Sequence, residues 1–133
     1  MQCGRVLLLD DSVDTVEALQ DLLYLAGAVE VRAAASVREA EAVLRAGYLP
    51  CVILLDLVLH RERGEDLLQW LGEAPERGAV RVVAFSGHAH RLGAVEGSVA
   101  RSLLKPAEPD GILAALAEAW ASLVPGAGSA VHG

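Results

Sequence analysis

The sequence predicts an α/β fold, a doubly wound arrangement in which one five-stranded parallel sheet carries helices on both faces. Two observations predict this class. Short apolar runs alternate along the chain with longer segments of helical period, as in parallel sheets with crossover helices. Several of the short runs are apolar at almost every position, as expected of strands covered on both faces. The length of 133 residues fits one compact domain with a single core.

Five segments are predicted to be strands, because each is short, apolar and followed by polar or turn-forming residues. In chain order they are 5–10 (RVLLLD), 29–34 (VEVRAA), 51–56 (CVILLD), 80–86 (VRVVAFS) and 101–105 (RSLLK). The first, third and fourth are nearly continuous apolar runs and suit the middle of the sheet. The second alternates polar and apolar residues, which is typical of an edge strand.

The first two helices are marked by residues that begin and end helices. Residues 14–26 form the first helix, after a cap at Ser12 or Asp14. The second helix opens with the capping-box sequence SVRE (36–39). Both segments end before a glycine, Gly27 in the first case and Gly47 in the second, and glycine is the residue that most often ends a helix.

The remaining helical segments are less uniform. Residues 64–73 form a short third helix, and 88–100 carry a fourth that is short or irregular, since two glycines interrupt it. The last helix, 110–124, places its large apolar residues on one stripe and should pack back on the sheet. The domain is therefore predicted to span 1–124, and the small, flexible residues of 125–133 form a tail or the start of a linker.

The composition excludes several classes of function and location. A net charge of −7 argues against nucleic acid or an anionic membrane as a direct partner. No apolar run approaches the roughly 18 residues of a membrane span, and the first residues do not resemble a signal peptide. We therefore expect a cytoplasmic protein. Cys3 and Cys51 lack CxxC spacing, and we expect both to be reduced, structural thiols.

Polar side chains follow the predicted strands at the points where they end. Asp10 and Asp11 follow the first strand, Asp56 ends the third, Ser86 the fourth and Lys105 the fifth. In an open parallel sheet the carboxyl ends of the strands form one edge, where ligands bind near the reversal of strand order. We therefore expect these five side chains to converge.

The convergence of three carboxylates predicts a metal site. Carboxylates that lie close together repel, and their pKa values rise unless a cation joins them. Hard oxygen ligands suit Mg²⁺, which takes one or two protein carboxylates and keeps several waters. A carboxylate surrounded by Mg²⁺, a hydroxyl and an ammonium is equipped to act as a nucleophile towards phosphorus.

The same residues also have purely structural interpretations. Asp10 and Asp11 could cap the following helix, Ser86 could belong to an ordinary turn, and Lys105 could be a solvated edge residue. An acid such as Asp56, however, is costly at the end of a buried strand without a cation. The combination of all five residues favours the metal site.

On these residues the chain resembles a response-regulator receiver domain of two-component signalling, over residues 5 to about 124. Gly64, eight residues after Asp56, also matches the glycine that ends a loop in that family. The resemblance implies a flavodoxin-like, chemotaxis-regulator-like fold with five helices and the sheet order 2-1-3-4-5. It further implies a bacterial signalling protein in which a histidine kinase or phosphotransfer protein donates a phosphoryl group to Asp56. Such a domain is a phosphoacceptor and not otherwise an enzyme.

The resemblance also assigns roles to the other residues. Asp11 and Asp56 would bind Mg²⁺ together with the backbone carbonyl of Val58, and Asp10 would act through water. Two further residues would hold the phosphoryl oxygens: Ser86 and Lys105. The peptide between Lys105 and Pro106 would be cis. Phosphorylation would change the interactions with a downstream protein, a C-terminal output domain or a second copy in a homodimer.

Three departures from the family bear on the output. Ser102 stands where the family usually has an aromatic residue, His60 stands where a proline is usual, and the segment between Ser86 and Lys105 is short. The aromatic relay of the family cannot operate through Ser102. A receiver-like interaction or dimerisation module with weakly phosphorylation-dependent output is therefore the alternative. A small-molecule enzyme or flavin carrier is poorly supported, since the sequence has no GxGxxG and no P-loop.

Overall fold

The computed structural model describes residues 4–73, 80–105 and 109–121. The strands in this part of the chain are β1 (Arg5–Leu9), β2 (Glu30–Ala34), β3 (Val52–Asp56), β4 (Val58–Leu59), β5 (Glu62–Arg63), β6 (Arg81–Ser86) and β7 (Arg101–Leu104). The helices are α1 (Val13–Leu25), α2 (Val37–Arg45), α3 (Glu65–Gly72), α4 (Ala89–Val95) and α5 (Pro109–Ala121), with a 3₁₀ turn at Glu96–Ser98.

Five strands form one parallel sheet in the order β2-β1-β3-β6-β7. Since β4 and β5 pair with each other in a separate hairpin, this order is the predicted 2-1-3-4-5. The central strand β3 is buried at every position, as its continuous apolar run predicts. The alternating strand β2 lies at an edge, also as predicted.

The sheet divides the core into two layers, because successive side chains of a strand point to opposite faces. Leu7 and Leu55 face the layer built with α2, α3 and α4, whereas Leu8 and Leu54 face the layer built with α1 and α5. All four leucines are fully buried. Burial of each such side chain stabilises the fold by roughly 2 kcal/mol relative to an exposed one.

The helix boundaries follow the predicted signals. The Ser12 hydroxyl accepts a hydrogen bond from the Thr15 N–H at 3.3 Å, which identifies Ser12 as the cap of α1. Gly27 and Gly47 have φ angles of 108° and 105°, a region that glycine enters without steric cost. Helix α4 is short and continues into the 3₁₀ turn, so the predicted irregular fourth helix is confirmed.

Two findings differ from the sequence analysis. The segment between β3 and α3, for which no strand was predicted, forms the β4–β5 hairpin, in which Leu59 pairs with Glu62. This hairpin has no alternating apolar pattern, so nothing in its sequence indicated strands.

Cys51 is disulfide-bonded, whereas the sequence analysis predicts a reduced thiol. The prediction is wrong because the spacing of cysteines in the sequence does not report which thiols the fold brings together. The other cysteine of the chain, Cys3, lies outside the described residues.

The remaining predictions concern parts of the chain that the structure does not describe. The tail over 125–133 lies wholly outside the described residues, as does Pro106 of the predicted cis peptide. The helices of the described ranges are all too short or too polar to cross a bilayer.

Candidate functional site

The five predicted site residues lie at one edge of the sheet. Asp10 and Asp11 follow β1, Asp56 and Ser86 end β3 and β6, and Lys105 follows β7. This edge is formed by the carboxyl ends of the parallel strands. From β1 the chain passes to β2 on one side of the sheet, and then to β3, β6 and β7 on the other side of β1. The residues therefore surround the point where strand order reverses, the usual ligand position in such sheets.

Three carboxylates form a compact cluster at this edge. Asp10, Asp11 and Asp56 each offer one oxygen atom within 4.8 Å of the others. Asp10 and Asp56 are only 3% and 4% exposed, whereas Asp11 is exposed. Two of the three acids are thus covered by protein and the third faces solvent. This is the arrangement of a cation site that an ion can enter from solvent.

Asp10 presents a buried oxygen whose surroundings suit a cation. Its Oδ1 accepts a hydrogen bond from the Ser12 N–H at 2.9 Å. Its Oδ2 is buried and finds no hydrogen-bond partner among the described residues, and it lies 3.9 Å from the Lys105 ammonium. Burial raises the pKa of Asp10, and the neighbouring charge of Asp56 raises it further. A buried carboxylate oxygen without a hydrogen-bond partner fits a divalent cation that prefers oxygen ligands, such as Mg²⁺.

Asp56 is held at both carboxylate oxygens. Oδ1 accepts a hydrogen bond from the Val58 N–H at 3.0 Å, and Oδ2 lies 3.0 Å from the Lys105 Nζ. Lys105 is itself fixed by its backbone N–H, which donates to the Ser86 carbonyl at 2.9 Å. The Lys105 side chain is about one-third exposed. It can therefore shift from Asp56 to a group that enters from solvent.

Ser86 and Val58 complete the set of predicted residues. Ser86 is fully buried, and its hydroxyl oxygen accepts a hydrogen bond from the His88 N–H at 2.9 Å. The pairing of β3 with β6 places Asp56 opposite Phe85, so Ser86 lies one residue beyond the acid on the neighbouring strand. Val58 is tied to Asp56 through its N–H, and the metal-binding role of its carbonyl stays a prediction.

Two contacts in the site were not predicted. The backbone N–H of His60 donates to Asp11 Oδ2 and so fixes the exposed carboxylate. The only sequence signal for this contact is that residue 60 is not proline and therefore has an N–H to donate. The second contact is made by Arg91, which donates to the Leu57 carbonyl at 2.5 Å. Nothing in the sequence of the irregular fourth helix predicts that Arg91 reaches the Leu57 carbonyl.

Gly64 is required by the close approach of its loop to Asp56. Its N–H donates to the Leu57 carbonyl at 3.0 Å. A β-carbon at this position would overlap the Asp56 carbonyl oxygen and would lie 2.8 Å from the Leu57 Cα. Since both atoms belong to the backbone, neither can move away cheaply. The loop therefore closes against the end of β3 only when residue 64 has no side chain.

Unlike the five site residues, Ser102 lies beside an open cavity. Ser102 lies on the edge strand β7, and its buried hydroxyl finds no hydrogen-bond partner among the described residues. It lines a cavity of about 490 Å³ between α4 and β7, together with Leu92, Gly93 and Val99. A small residue therefore leaves open space at the position where a large ring would pack.

The arrangement can hold a cation and present a carboxylate to an electrophile. Asp10 and Asp11 provide negative charge beside Asp56, and Lys105 provides positive charge close to both Asp10 and Asp56. Such an arrangement has the chemistry that a divalent cation and a group with negatively charged oxygens require, because positive charge neutralises that of the oxygens.

Comparisons with known proteins agree with the geometry. The family model of the response regulator receiver domain matches residues 6–117. The chemotaxis response regulator CheY4 of Vibrio cholerae is 21% identical with a TM-score of 0.77, and the match covers 88% of this chain and 98% of that one.

Two further solved structures share the fold. A CheY-like receiver domain from Methylobacillus flagellatus is 20% identical with a TM-score of 0.77, covering 88% of this chain and 98% of that one. The receiver domain of a histidine kinase from Syntrophus aciditrophicus is 18% identical with a TM-score of 0.82, covering 92% and 94%. A search among curated proteins finds no match.

Proposed function

The chain belongs to the family of response regulator receiver domains, and on that premise we propose that it is a phosphoacceptor switch. A histidine kinase or a phosphotransfer protein would donate a phosphoryl group from a phosphohistidine to Asp56, and the phosphorylated domain would change its protein partners. The partner is a downstream protein, an output domain or a second copy of the chain. The proposed setting is the cytoplasm of a bacterium.

The observation that carries the proposal is the environment of Asp56. One carboxylate oxygen is fixed by the Val58 N–H at 3.0 Å and the other faces the Lys105 ammonium at 3.0 Å. The neighbouring Asp10 keeps a buried oxygen without a hydrogen-bond partner among the described residues. A merely structural aspartate would be satisfied by its hydrogen bonds, and it would not need two more acids within 4.8 Å.

In the proposed transfer, a carboxylate oxygen of Asp56 forms a bond to phosphorus while the bond between phosphorus and the imidazole nitrogen of the donor breaks. The electron pair of that bond leaves with the imidazole. The Lys105 ammonium then pairs with a phosphoryl oxygen instead of Asp56, and the Ser86 hydroxyl donates to another. Mg²⁺ held by Asp11, Asp56 and the Val58 carbonyl, with Asp10 acting through water, would supply further positive charge to the phosphoryl oxygens.

The protein would not turn over a separate substrate. Its residues promote the gain and the hydrolytic loss of their own acyl phosphate, so it is a regulated acceptor and not an enzyme in the usual sense. The site is consistent with this proposal, since Asp56 is buried and lies beside the solvent-facing Asp11 and the partly exposed Lys105.

The test is intact mass spectrometry after incubation with Mg²⁺ and acetyl phosphate. Wild type should gain one phosphoryl group, an increase of about 80 Da, and Asp56→Asn should gain none. Asp66→Asn is the matched control, since Asp66 is an exposed aspartate on α3 and its variant should behave as wild type. Addition of EDTA should abolish the gain. Equal phosphorylation of Asp56→Asn would contradict the assignment.

A second function is favoured by one observation, the cavity beside Ser102. Without a ring to fill this space, the domain could serve as an interaction or dimerisation module whose output depends only weakly on phosphorylation. The same experiment separates the two functions. No mass gain in wild type, even with a cognate kinase supplied, would favour the interaction module.

A further inference from the structure

We propose that Arg91 is a positioning residue that joins helix α4 to the peptide following Asp56, so that a change at the acceptor carboxylate is transmitted to α4 through Leu57 and Arg91. This inference rests on the proposed function, and it names a route within this chain that does not pass through Ser102.

The contact is built from three hydrogen bonds of one guanidinium. Arg91 Nε donates to Glu65 Oε2 at 2.8 Å, and Nη2 donates both to Glu65 Oε1 and to the Leu57 carbonyl at 2.5 Å. Nη2 carries two hydrogens, so it can serve both acceptors at once. Glu65 in the first turn of α3 thus holds the guanidinium in the orientation that reaches Leu57.

The geometry requires an arginine. A lysine ammonium at position 91 would keep the positive charge, but it lacks the planar fork that binds a carboxylate with two parallel bonds. It could not be oriented by Glu65 and contact the Leu57 carbonyl in the same way. Arg91→Lys therefore separates the role of the geometry from the role of the charge.

The ion pair is sheltered from solvent. The side chains of Arg91 and Glu65 are 20% and 15% exposed. Burial alone would raise the pKa of Glu65, but the hydrogen bonds and the charge of Arg91 outweigh it and lower that pKa. The hydrogen bond with Glu65 raises the pKa of Arg91. Both groups are therefore charged at neutral pH, and the contact is an ion pair under that condition.

The Leu57 peptide is a stiff link between this pair and the acceptor. Leu57 directly follows Asp56 and is fully buried. Its N–H donates to the Phe85 carbonyl at 2.9 Å, and its carbonyl accepts from the Gly64 N–H at 3.0 Å as well as from Arg91. Because the peptide is restrained on both sides, a displacement of Asp56 is passed on to Arg91 instead of being absorbed locally.

Helix α4 is tied to the site at a second point and has room to move. The His88 N–H, at the start of α4, donates to the Ser86 hydroxyl at 2.9 Å. On its other side, α4 borders the cavity that contains Ser102. The short helix is therefore held to the site by two contacts and to the sheet by its buried residues Leu92 and Val95, and the cavity leaves space beside it. The inference follows that Arg91 and His88 together set the position of α4.

The test is amide hydrogen exchange of residues 89–95, measured by mass spectrometry before and after phosphorylation with acetyl phosphate and Mg²⁺. In wild type, phosphorylation should change the exchange rate by about threefold or more, since one hydrogen bond alters a local opening equilibrium by that order. Arg91→Lys and Glu65→Gln should lose most of this response while still gaining the phosphoryl mass.

Arg63→Ala is the matched control. Arg63 also contacts Glu65, at 3.5 Å, but it is 70% exposed, and no contact with Leu57 is seen among the described residues. The variant should retain the response of wild type. An unchanged response in Arg91→Lys, or the absence of any response in phosphorylated wild type, would overturn the inference.

The failure of the proposed function is recognised separately, because it appears as a missing mass gain in wild type. In that case the coupling is measured with Mg²⁺ alone, which perturbs Asp56 without phosphoryl transfer. A change in α4 exchange on addition of Mg²⁺ to wild type, lost in Arg91→Lys, would support the role of Arg91. No change in wild type would refute it.

Discussion

At the scale of single residues, the three aspartates of the site differ because their surroundings differ. Asp11 faces solvent and is held by the His60 N–H, whereas Asp10 and Asp56 are buried. Of the two buried acids, Asp56 has a cation beside it at 3.0 Å and Asp10 lies at 3.9 Å from the same cation. The charge of Asp56 is therefore the more closely paired of the two, whereas burial raises the pKa of Asp10.

Gly64 provides a residue-scale prediction. Gly64→Ala should lower the free energy of unfolding by about 1–3 kcal/mol, the usual cost of forcing extra atoms into a packed site, because the new β-carbon would overlap backbone of Asp56 and Leu57. Urea unfolding at neutral pH measures the change. Gly93→Ala is the control, since a β-carbon on this residue of α4 meets open space and alanine favours a helix. Equal stability of the two variants would contradict the explanation.

At the scale of elements, local signals in the sequence predicted most boundaries, and contacts between distant segments account for what was missed. The start of α2 has one contact of each kind, a local one and a distant one. Ser36 accepts a hydrogen bond from the Glu39 N–H at 3.1 Å, as the capping box predicts. The Val37 N–H instead donates to Glu62 Oε1 at 2.7 Å, and Glu62 belongs to the hairpin strand β5. Because Glu62 is 25 residues away from Val37 in the chain, the sequence around α2 contains no pattern that predicts this cap.

The two caps of α2 lead to a prediction. Ser36→Ala and Glu62→Ala should each lower the free energy of unfolding by about 1 kcal/mol, the usual value of an N-terminal cap. Thermal or urea unfolding provides the measurement. Ser36→Asp should restore most of the loss, and Glu17→Ala, at an exposed position of α1, should be close to neutral. A neutral effect of Glu62→Ala would show that the hairpin does not stabilise α2.

At the scale of the whole molecule, the fold and the placement of the candidate site could be predicted because both follow from the strand pattern. Once five apolar runs are arranged as one parallel sheet, the residues at their carboxyl ends must meet at one edge. The contacts of Arg91 and His60 could not be predicted in this way. They depend on how loops and a short helix close over that edge, and on backbone groups that carry no sequence signature.

The last prediction concerns the stability of the whole domain as a function of pH in Mg²⁺-free buffer. The pKa of Asp10 is raised above 3.8, so the folded state holds its proton longer than the unfolded state, and stability falls as the pH rises through that raised pKa. The pKa of Glu65 is lowered below 4.5, so its contribution is present above pH 4.5 and is lost as the pH falls through the lowered value. The two contributions oppose each other at acidic pH, and above pH 4.5 the titration of Asp10 alone lowers the stability as the pH rises.

Asp10→Asn should raise the free energy of unfolding at pH 7 by about 1 kcal/mol, since it removes a buried charge without a full partner, and Mg²⁺ should stabilise wild type more than this variant. Chemical unfolding from acidic pH to pH 7, with and without Mg²⁺, measures both effects. A loss of stability in Asp10→Asn at pH 7 without Mg²⁺ would mean that the Asp10 charge is already compensated within the protein, and the case for a cation beside it would fall.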